Sequence, residues 1–325
     1  MHNQIFISGA WHSGTSLIAE IAKLNGYDLG KATSSKNDNN FAWRGPLSNL
    51  NAPRGYFTKD YDDVSVKGIL EKSWPFDTVG KQENELFKGS ILKSCSFPRV
   101  DHNCCKLPGL SLMTPHIAKA FPEAPIIHVV RNPFDVSLSK TDNYFLSRLI
   151  EDKTVRENHT NELYKGETIY LLFHALGHLE WAYRSAGPSE SVIRHERKPI
   201  YWNILYCLRW VLIIDRLSID LRTHNIKNHH IIKFENIVSN DLQEINKLRQ
   251  ILGVKGDLKM PPIDNSRAHK YRANIDKLKE NAQLWPQQKN LYKDIYRITK
   301  RYLEVLQYDD VIQFMDELYA ETANA

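Results

Sequence analysis

Residues 9–16, with the sequence GAWHSGTS, constrain the fold more than any other stretch of the chain. They follow a short apolar segment, QIFIS, and precede a segment whose apolar residues recur at helical spacing. A glycine-containing loop between a strand and a helix is typical of a phosphate-binding P-loop. The lysine of the usual P-loop pattern is absent, because Thr15 follows Gly14. The stretch predicts an anion-binding loop, and a strand–helix turn without a ligand is the alternative for this stretch alone.

A second polar stretch, RNPFDVSLS, also follows an apolar segment, APIIHVV. A continuously apolar segment of this length is typical of a strand buried in a parallel sheet. Arg131 then lies at the carboxyl end of the strand, and Ser139 lies in a helix that Pro133 begins. An arginine and a serine at one crevice suit a phosphate monoester. A capped helix start, with Asp135 near the helix N-terminus, is the structural alternative.

Strand and helix patterns alternate along the chain, which predicts an α/β fold. We expect a three-layer sandwich with a central, mostly parallel sheet, a P-loop-like strand-loop-helix unit and helical insertions. Residues 1–325 are interpreted as a single domain with a variable insertion around 145–198. Predicted strands cover 4–8, 89–94, 124–133 and 228–237, and predicted helices cover 15–24, 111–121, 170–183, 202–221 and 242–253.

Composition excludes several classes of protein. A chain of 325 residues with 42% hydrophobic content can bury a large core, so overall disorder is excluded. A net charge of +5 indicates local anion sites rather than a nucleic-acid-binding surface. Neither the amino-terminal sequence nor the stretch 201–215 has the pattern of a signal peptide or a membrane span. The four cysteines, Cys95, Cys104, Cys105 and Cys207, lack C-x-x-C spacing. We interpret them as reduced thiols that lie in a strand or in the core, which indicates a cytoplasmic protein.

Two motifs together resemble the sulfotransferases that use 3′-phosphoadenosine 5′-phosphosulfate (PAPS). The stretch WHSGTS is similar to the first motif of that family, [PR]-[KR]-S-G-T-[ST], and RNPFDVSLS to its second, R-[ND]-P-x-D-x-x-x-S. Four further segments resemble the family's acceptor-side, K-x-P, strand-turn and late basic segments; they are NAPRGYFTKDYDDV, CKLP, IIKFENIVSN and RAHKYRANI. The resemblance extends from Ile5 to about Ile275.

The resemblance implies a sulfotransferase that moves a sulfuryl group from PAPS and releases adenosine 3′,5′-bisphosphate, without a metal. Backbone amides and hydroxyls of the loop would hold the 5′-phosphosulfate, which has no γ-phosphate and needs no P-loop lysine. The 3′-phosphate would contact Arg131 and Ser139 beneath a basic segment. The donor-binding residues that the resemblance implies are Trp11, His12, Ser13, Gly14, Thr15, Ser16, Arg131, Ser139, Lys270, Tyr271 and Arg272.

The chain departs from the family at two catalytic positions. His12 stands where a lysine or arginine is usual, so Lys106 is the candidate for a supporting cation. Thr58 stands where related members have glutamate, and Asp60 is the nearest carboxylate that can replace it as a base. His102 and His116 are weaker candidates for the base. The implied acceptor is a hydroxyl or amine of a carbohydrate or small molecule, and the sequence does not identify it.

Two other functions remain open at this point. A small-metabolite kinase with a P-loop would need a lysine equivalent and a Mg²⁺ site. A catalytically degenerate nucleotide binder would keep the loop but lack transfer. His174 and His178 have metal-ligand spacing, but no third ligand is evident and a structural role is favoured. The sequence does not define the oligomeric state.

Overall fold

Four parallel strands form a sheet at the centre of the computed structural model. The strands are β1 (Gln4–Gly9), β2 (Asn103–Lys106), β3 (Ile126–Val130) and β4 (His229–Lys233). They pair in the order β2-β1-β3-β4, so their carboxyl ends lie at one edge of the sheet. The structure describes residues 4–10, 12–30, 88, 101–106, 111, 114–137, 207, 210–211, 213–214, 217–218, 220–264, 269–280 and 285–323.

Helices follow three of the strands directly. Helix α1 (Thr15–Leu24) follows β1 after a short loop, whereas α3 (Pro133–Ser137) and α4 (Phe234–Val238) begin within three residues of β3 and β4. Each of these helices therefore begins at the carboxyl edge of the sheet. The other described helices are α2 (Thr114–Ala120), α5 (Leu242–Ile251), α6 (Lys270–Lys279), α7 (Trp285–Val305) and α8 (Asp309–Ala323), and the described residues between 207 and 224 are also helical.

Apolar clusters cover both faces of the sheet. Successive side chains of a strand point to opposite faces. Ile5 and Ile7 of β1 accordingly pack into a cluster that contains Ile18 of α1. Phe6 belongs to a second cluster, which contains Trp210. The sheet thus lies between two apolar layers, and the predicted three-layer α/β fold with a parallel sheet is confirmed.

The adjacent cysteines follow the same alternation. Cys104 lies in the cluster with Ile5, and Cys105 lies in the cluster with Phe6, so their side chains are on opposite faces of β2. They cannot form a disulfide with each other in this strand. Together with Cys207 they are buried, reduced cysteines, as predicted, and Cys95 lies outside the described residues.

Three strands differ from the predicted elements. Strand β3 ends at Val130, before the predicted end at Pro133, where α3 begins. Strand β2 was not predicted, because its four residues, NCCK, are too few to show alternation. The strand predicted over 228–237 is wrong after Lys233, where α4 begins with Phe234. The Glu235 carboxylate accepts a hydrogen bond from the backbone N–H of Asn132, which follows β3, and this bond is compatible with a helical start at Phe234. The predicted strand 89–94 and helix 170–183 lie outside the described residues.

None of the helices in the described ranges has both the length and the apolar character of a membrane span.

We expect acid to destabilise the fold through two neighbouring histidines in the sheet. Burial lowers the pKa of His128 well below 6.5, and burial, aided by the charge of His230, lowers that of His229 to about 4. The centroids of the His128 and His229 rings are 6.0 Å apart. Since an unfolded histidine has a pKa near 6.5, the unfolded chain binds more protons as the pH falls from about 6.5 towards 4. The free energy of unfolding therefore decreases over that range.

Urea unfolding of the His128→Asn variant at pH 7 and pH 5.5 tests this prediction. The variant should lose about 1 kcal/mol less stability than the parent protein between the two pH values, since one proton-uptake site has been removed. His224→Asn, outside the sheet, controls for the loss of a histidine. An equal pH dependence in the parent and the His128→Asn variant would contradict the prediction.

Candidate active site

The loop between β1 and α1 has a backbone that requires glycine at both of its ends. Gly9 and Gly14 have φ angles of 154° and 93°, in the region that favours glycine. A Cβ atom added to Gly9 would overlap the carbonyl oxygen of Val129, and one added to Gly14 would overlap the ring of Phe234. The glycines predicted from the motif are thus required by close approaches of β3 and α4.

The loop ends at the N-terminus of α1 in a form that suits an anion. Gly14 is the N-cap residue, no side chain caps the helix there, and its first turn contains no acidic residue. The first backbone N–H groups of a helix lack partners within the helix, and its dipole is positive at that end. Such an end is a common binding site for phosphate or sulfate groups.

Two loop side chains have different roles. The hydroxyl of Ser13 donates a hydrogen bond to the carbonyl oxygen of Ala10 at 2.6 Å, so it stabilises the loop itself. His12 has a φ angle of 68°, and its carbonyl oxygen accepts a hydrogen bond from Nη1 of Arg131 at 3.3 Å. Hydrogen bonds therefore hold the loop both internally and to Arg131 at the end of β3.

Lys106 brings a cation to the start of α1. It is the last residue of β2, is 1% exposed, and pairs in register with Ile7 of β1. Its Nζ donates a hydrogen bond to Oγ of Ser16 at 3.0 Å. A lysine on the neighbouring strand thus supplies the positive charge that the loop lacks at Thr15.

Arg131 lies on the other side of the loop, at the end of β3. Its side chain is 13% exposed, and Nη2 lies 3.5 Å from Oδ2 of Asp135. The centre of its guanidinium lies 4.5 Å from the centroid of the Phe234 ring. Nε1 of Trp210 donates a hydrogen bond to the Arg131 carbonyl oxygen at 2.8 Å. Both the backbone and the side chain of Arg131 are held by neighbours from other elements.

A buried network of hydrogen bonds begins at Asn132, the residue that follows Arg131. Oε1 of Glu235 accepts hydrogen bonds from the backbone N–H and from Nδ2 of Asn132, each at 2.8 Å. The Tyr308 hydroxyl donates to Oε2 of Glu235 at 3.0 Å. Nδ2 of Asn132 also donates to Asp135, whose backbone N–H donates to the Asn132 side-chain oxygen. Desolvation raises the pKa of Glu235 despite these hydrogen bonds.

The network explains most of the RNPFD sequence. Asn132 joins the ends of β3 and β4 through Glu235, and its side-chain oxygen caps α3. Asp135 accepts a hydrogen bond from the backbone N–H of Tyr271 at 2.7 Å. Glu235 and Tyr308 were not identified as site residues from the sequence. Glu235 could have been identified because it follows the apolar residues of β4. Tyr308 lies in the distant connection between α7 and α8, and its neighbours in sequence give no indication of its role.

The three residues of the basic segment at the start of α6 lie in different environments. Lys270 is exposed, whereas Tyr271 is fully buried with its ring 5.5 Å from that of Phe134. Arg272 forms an ion pair with Asp310 at 2.8 Å. The segment is connected to the second motif through the Tyr271 backbone, and contact of these three side chains with a phosphate stays a prediction.

Several other predicted residues lie elsewhere. His102 precedes β2 and lies at the edge of the sheet opposite to Lys106, about 13 Å along the strand at 3.3 Å per residue, so the structure does not bring it to the loop. His229 and His230 also begin a strand at that opposite edge. Among the described residues, no group of three or more potential ligands is placed to bind a metal. Outside the described residues lie Trp11, Asp60, Ser139, His174 and His178 and the side chain of His116.

We expect Gly14→Ala to destabilise the protein strongly. The new Cβ overlaps the Phe234 ring, and alanine is strained at a φ of 93°. These two effects together should cost about 3 kcal/mol. Gly256→Ala is the matched control, because a Cβ at Gly256 has nothing within 4 Å. Thermal unfolding should show a lower Tm for Gly14→Ala alone, and equal Tm values for the two variants would contradict the assigned packing.

Three sulfotransferase structures match the chain at low sequence identity. The sulfotransferase STF9 from Mycobacterium avium is 10% identical, with 94% of this chain and 76% of that chain covered and a TM-score of 0.42. The sulfotransferase domain from the curacin biosynthetic pathway is 13% identical, with coverages of 93% and 98% and a TM-score of 0.40. The corresponding domain of the Synechococcus PCC 7002 olefin synthase is 18% identical, with coverages of 84% and 88% and a TM-score of 0.36.

The family is shown by a comparison of the sequence with models of protein families. No curated protein matches the chain in sequence. The model described as "Sulfotransferase family" matches residues 4–166, half of the 325-residue chain. The match includes β1, the loop, Lys106 and the RNPFD sequence, which form a large part of the site described above. The chain therefore belongs to the sulfotransferase family.

Proposed function

We propose that the protein transfers a sulfuryl group from PAPS to a hydroxyl or amine of a carbohydrate or small-molecule acceptor. The observation that carries this proposal is the placement of two cations on either side of the loop. Lys106 contacts Ser16 at the start of α1, and Arg131 contacts the His12 carbonyl oxygen. Such a site matches a nucleotide with two separate anionic groups.

The loop fits the 5′-phosphosulfate end of this donor. Gly9 and Gly14 leave no room for side chains, and the uncapped start of α1 offers backbone N–H groups. Lys106 adds an ammonium group, and Ser16 adds a hydroxyl. We propose that these groups, with Thr15 and the loop amides, hold the phosphosulfate.

Arg131 fits the 3′-phosphate. A guanidinium presents several N–H donors in a plane and binds phosphate oxygens in pairs. The contacts of Arg131 with Asp135 and the Phe234 ring keep that plane in one orientation. Ser139, Lys270 and Arg272 remain proposed further contacts.

The chemistry requires positive charge near the leaving group. PAPS supplies an activated sulfuryl group; the acceptor oxygen or nitrogen bonds to sulfur, and the bond from sulfur to the bridging oxygen breaks. Negative charge grows on that bridging oxygen, and nearby cations stabilise the transition state more than the ground state. We assign this role to Lys106, with His12 as a second group. The acceptor's proton passes to a base, for which Asp60 stays the proposal.

The remaining parts of the proposal concern the whole chain. We propose a single domain over residues 1–325, in which the segment around 145–198 contributes to the acceptor site. A cytoplasmic location is supported by the buried, reduced cysteines Cys104, Cys105 and Cys207.

Transfer of labelled sulfate from PAPS to an acceptor library tests the proposed activity. Formation of a labelled product that needs no added Mg²⁺ is the expected result. Mg²⁺-dependent turnover of ATP in parallel reactions would indicate a kinase instead. Tight binding of adenosine 3′,5′-bisphosphate without any transfer would indicate a nucleotide binder that lacks catalysis.

We expect Lys106→Met to reduce kcat by about 10²-fold to 10³-fold, the usual effect of removing a group that stabilises developing negative charge. Methionine is similar in volume and removes a buried charge that is costly to desolvate, so the Tm should be maintained or raised. Lys119→Met, at an exposed position of α2, is the control. A Lys106→Met variant with unchanged kcat would remove the residue from the mechanism.

His12 should show a different pH response from a lysine at the same position. If its imidazolium form assists the leaving group, transfer declines at alkaline pH, whereas an ammonium keeps its charge to higher pH. His12→Lys should therefore retain activity and flatten the alkaline limb of the kcat profile. His12→Ala should lower kcat by about 10²-fold with little change in donor affinity. An alanine variant with the parent's kcat and pH profile would leave Lys106 as the sole assigned cation.

A further inference from the structure

Phe234 contacts both halves of the proposed donor site. Its ring lies against Gly14, where a Cβ atom would overlap it, and under the guanidinium of Arg131 at 4.5 Å. The ring is 4% exposed, so it is enclosed between these two groups. We propose that Phe234 is a positioning residue that sets the spacing of the loop and Arg131, and thereby the preference for a nucleotide with both 5′- and 3′-phosphates. This inference rests on the proposed function of the site.

The position of the ring is fixed by its chain neighbours. Lys233 is extended, so β4 passes into α4 without a linker. Nζ of Lys233 donates a hydrogen bond to the Gln307 carbonyl oxygen at 2.8 Å. On the other side, the Glu235 carboxylate accepts from Asn132 and from Tyr308. Phe234 therefore lies between two anchored residues, and its ring has little freedom to move.

The contact with Arg131 is a cation–π interaction of ordinary geometry. A guanidinium within about 6 Å of a ring centroid is attracted to the face of the ring. The face contact complements the in-plane contacts of the same guanidinium with the His12 carbonyl oxygen and with Asp135. Together these contacts select one orientation of a long side chain that otherwise has many rotamers.

Because the Phe234 ring also contacts Gly14, it separates the loop from the Arg131 side chain. The absence of a side chain at Gly14 allows the Phe234 ring to touch the loop backbone at the start of α1. A smaller side chain at position 234 would leave space between the loop and Arg131. The loop is also held by the hydrogen bond from Ser13 to the Ala10 carbonyl oxygen, and Lys106 approaches it from β2, so the 5′ half of the site would be retained. The expected defect is thus selective for the 3′-phosphate.

The test compares the Kd values of adenosine 3′,5′-bisphosphate and adenosine 5′-monophosphate by calorimetry. Phe234→Leu should reduce the ratio of the two affinities by about 5-fold, the usual size of a lost cation–π contact. Phe234→Tyr keeps the aromatic ring and should keep the ratio. Ile237→Val removes a methyl group from the same helix and apolar cluster, and should leave the ratio unchanged. Thermal unfolding of each variant reports whether it is folded.

Arg131→Ala separates this inference from the function on which it rests. If Arg131→Ala leaves the ratio unchanged, the assignment of Arg131 to the 3′-phosphate fails, and the role of Phe234 fails with it. If Arg131→Ala lowers the ratio but Phe234→Leu does not, the role of Phe234 alone is overturned. Equal weakening of both nucleotides by Phe234→Leu also overturns it, since that is the result of a purely structural role. In the Arg131→Ala background, Phe234→Leu should have no further effect on the ratio.

Discussion

The hydrogen bonds between Asn132 and Glu235 hold together the part of the structure on which the site depends. They join the carboxyl ends of β3 and β4, two strands that are far apart in sequence. Buried polar groups are costly unless they are satisfied, and removal of the carboxylate would leave the Asn132 backbone N–H without this partner. Because Arg131 precedes Asn132 and Phe234 precedes Glu235, the same bonds place the guanidinium over the ring. Hydrogen bonds between two strands thus help to position the side chain that we propose to bind the 3′-phosphate.

The site also shows how a glycine loop of the P-loop type can be supplied with a positive charge when it has no lysine of its own. In the usual P-loop the lysine follows the last glycine, whereas here Thr15 takes that position and the cation comes from Lys106 on β2. A lysine in a strand is less mobile than one in a loop, since the register with β1 fixes its backbone. The positive charge is therefore held near the start of α1, where we propose that negative charge develops in the transition state.

Much of this arrangement could be predicted from the sequence, because its signals are local. The strand, glycine loop and helix of residues 4–24 follow from periodicity and from the conformational freedom of glycine, and Arg131 follows from its place after a buried strand. The roles of Phe234, Glu235 and Tyr308 depend on contacts between distant segments, which periodicity does not report. Tyr271 was assigned to ligand binding from the resemblance of its segment to the family; its ring is buried beside Phe134, and its contact with a ligand stays a prediction. A pattern of residue types does not distinguish a side chain that binds a ligand from one that packs in the core.

A crystal structure of the protein with adenosine 3′,5′-bisphosphate is the most direct test of the central claim. The expected complex has the 5′-phosphate on the loop amides at the start of α1, within hydrogen-bond distance of Lys106 Nζ. The 3′-phosphate is expected on the Arg131 guanidinium, with the Phe234 ring still beneath it. A nucleotide bound away from this loop, or one whose 3′-phosphate has no contact with Arg131, would contradict the account.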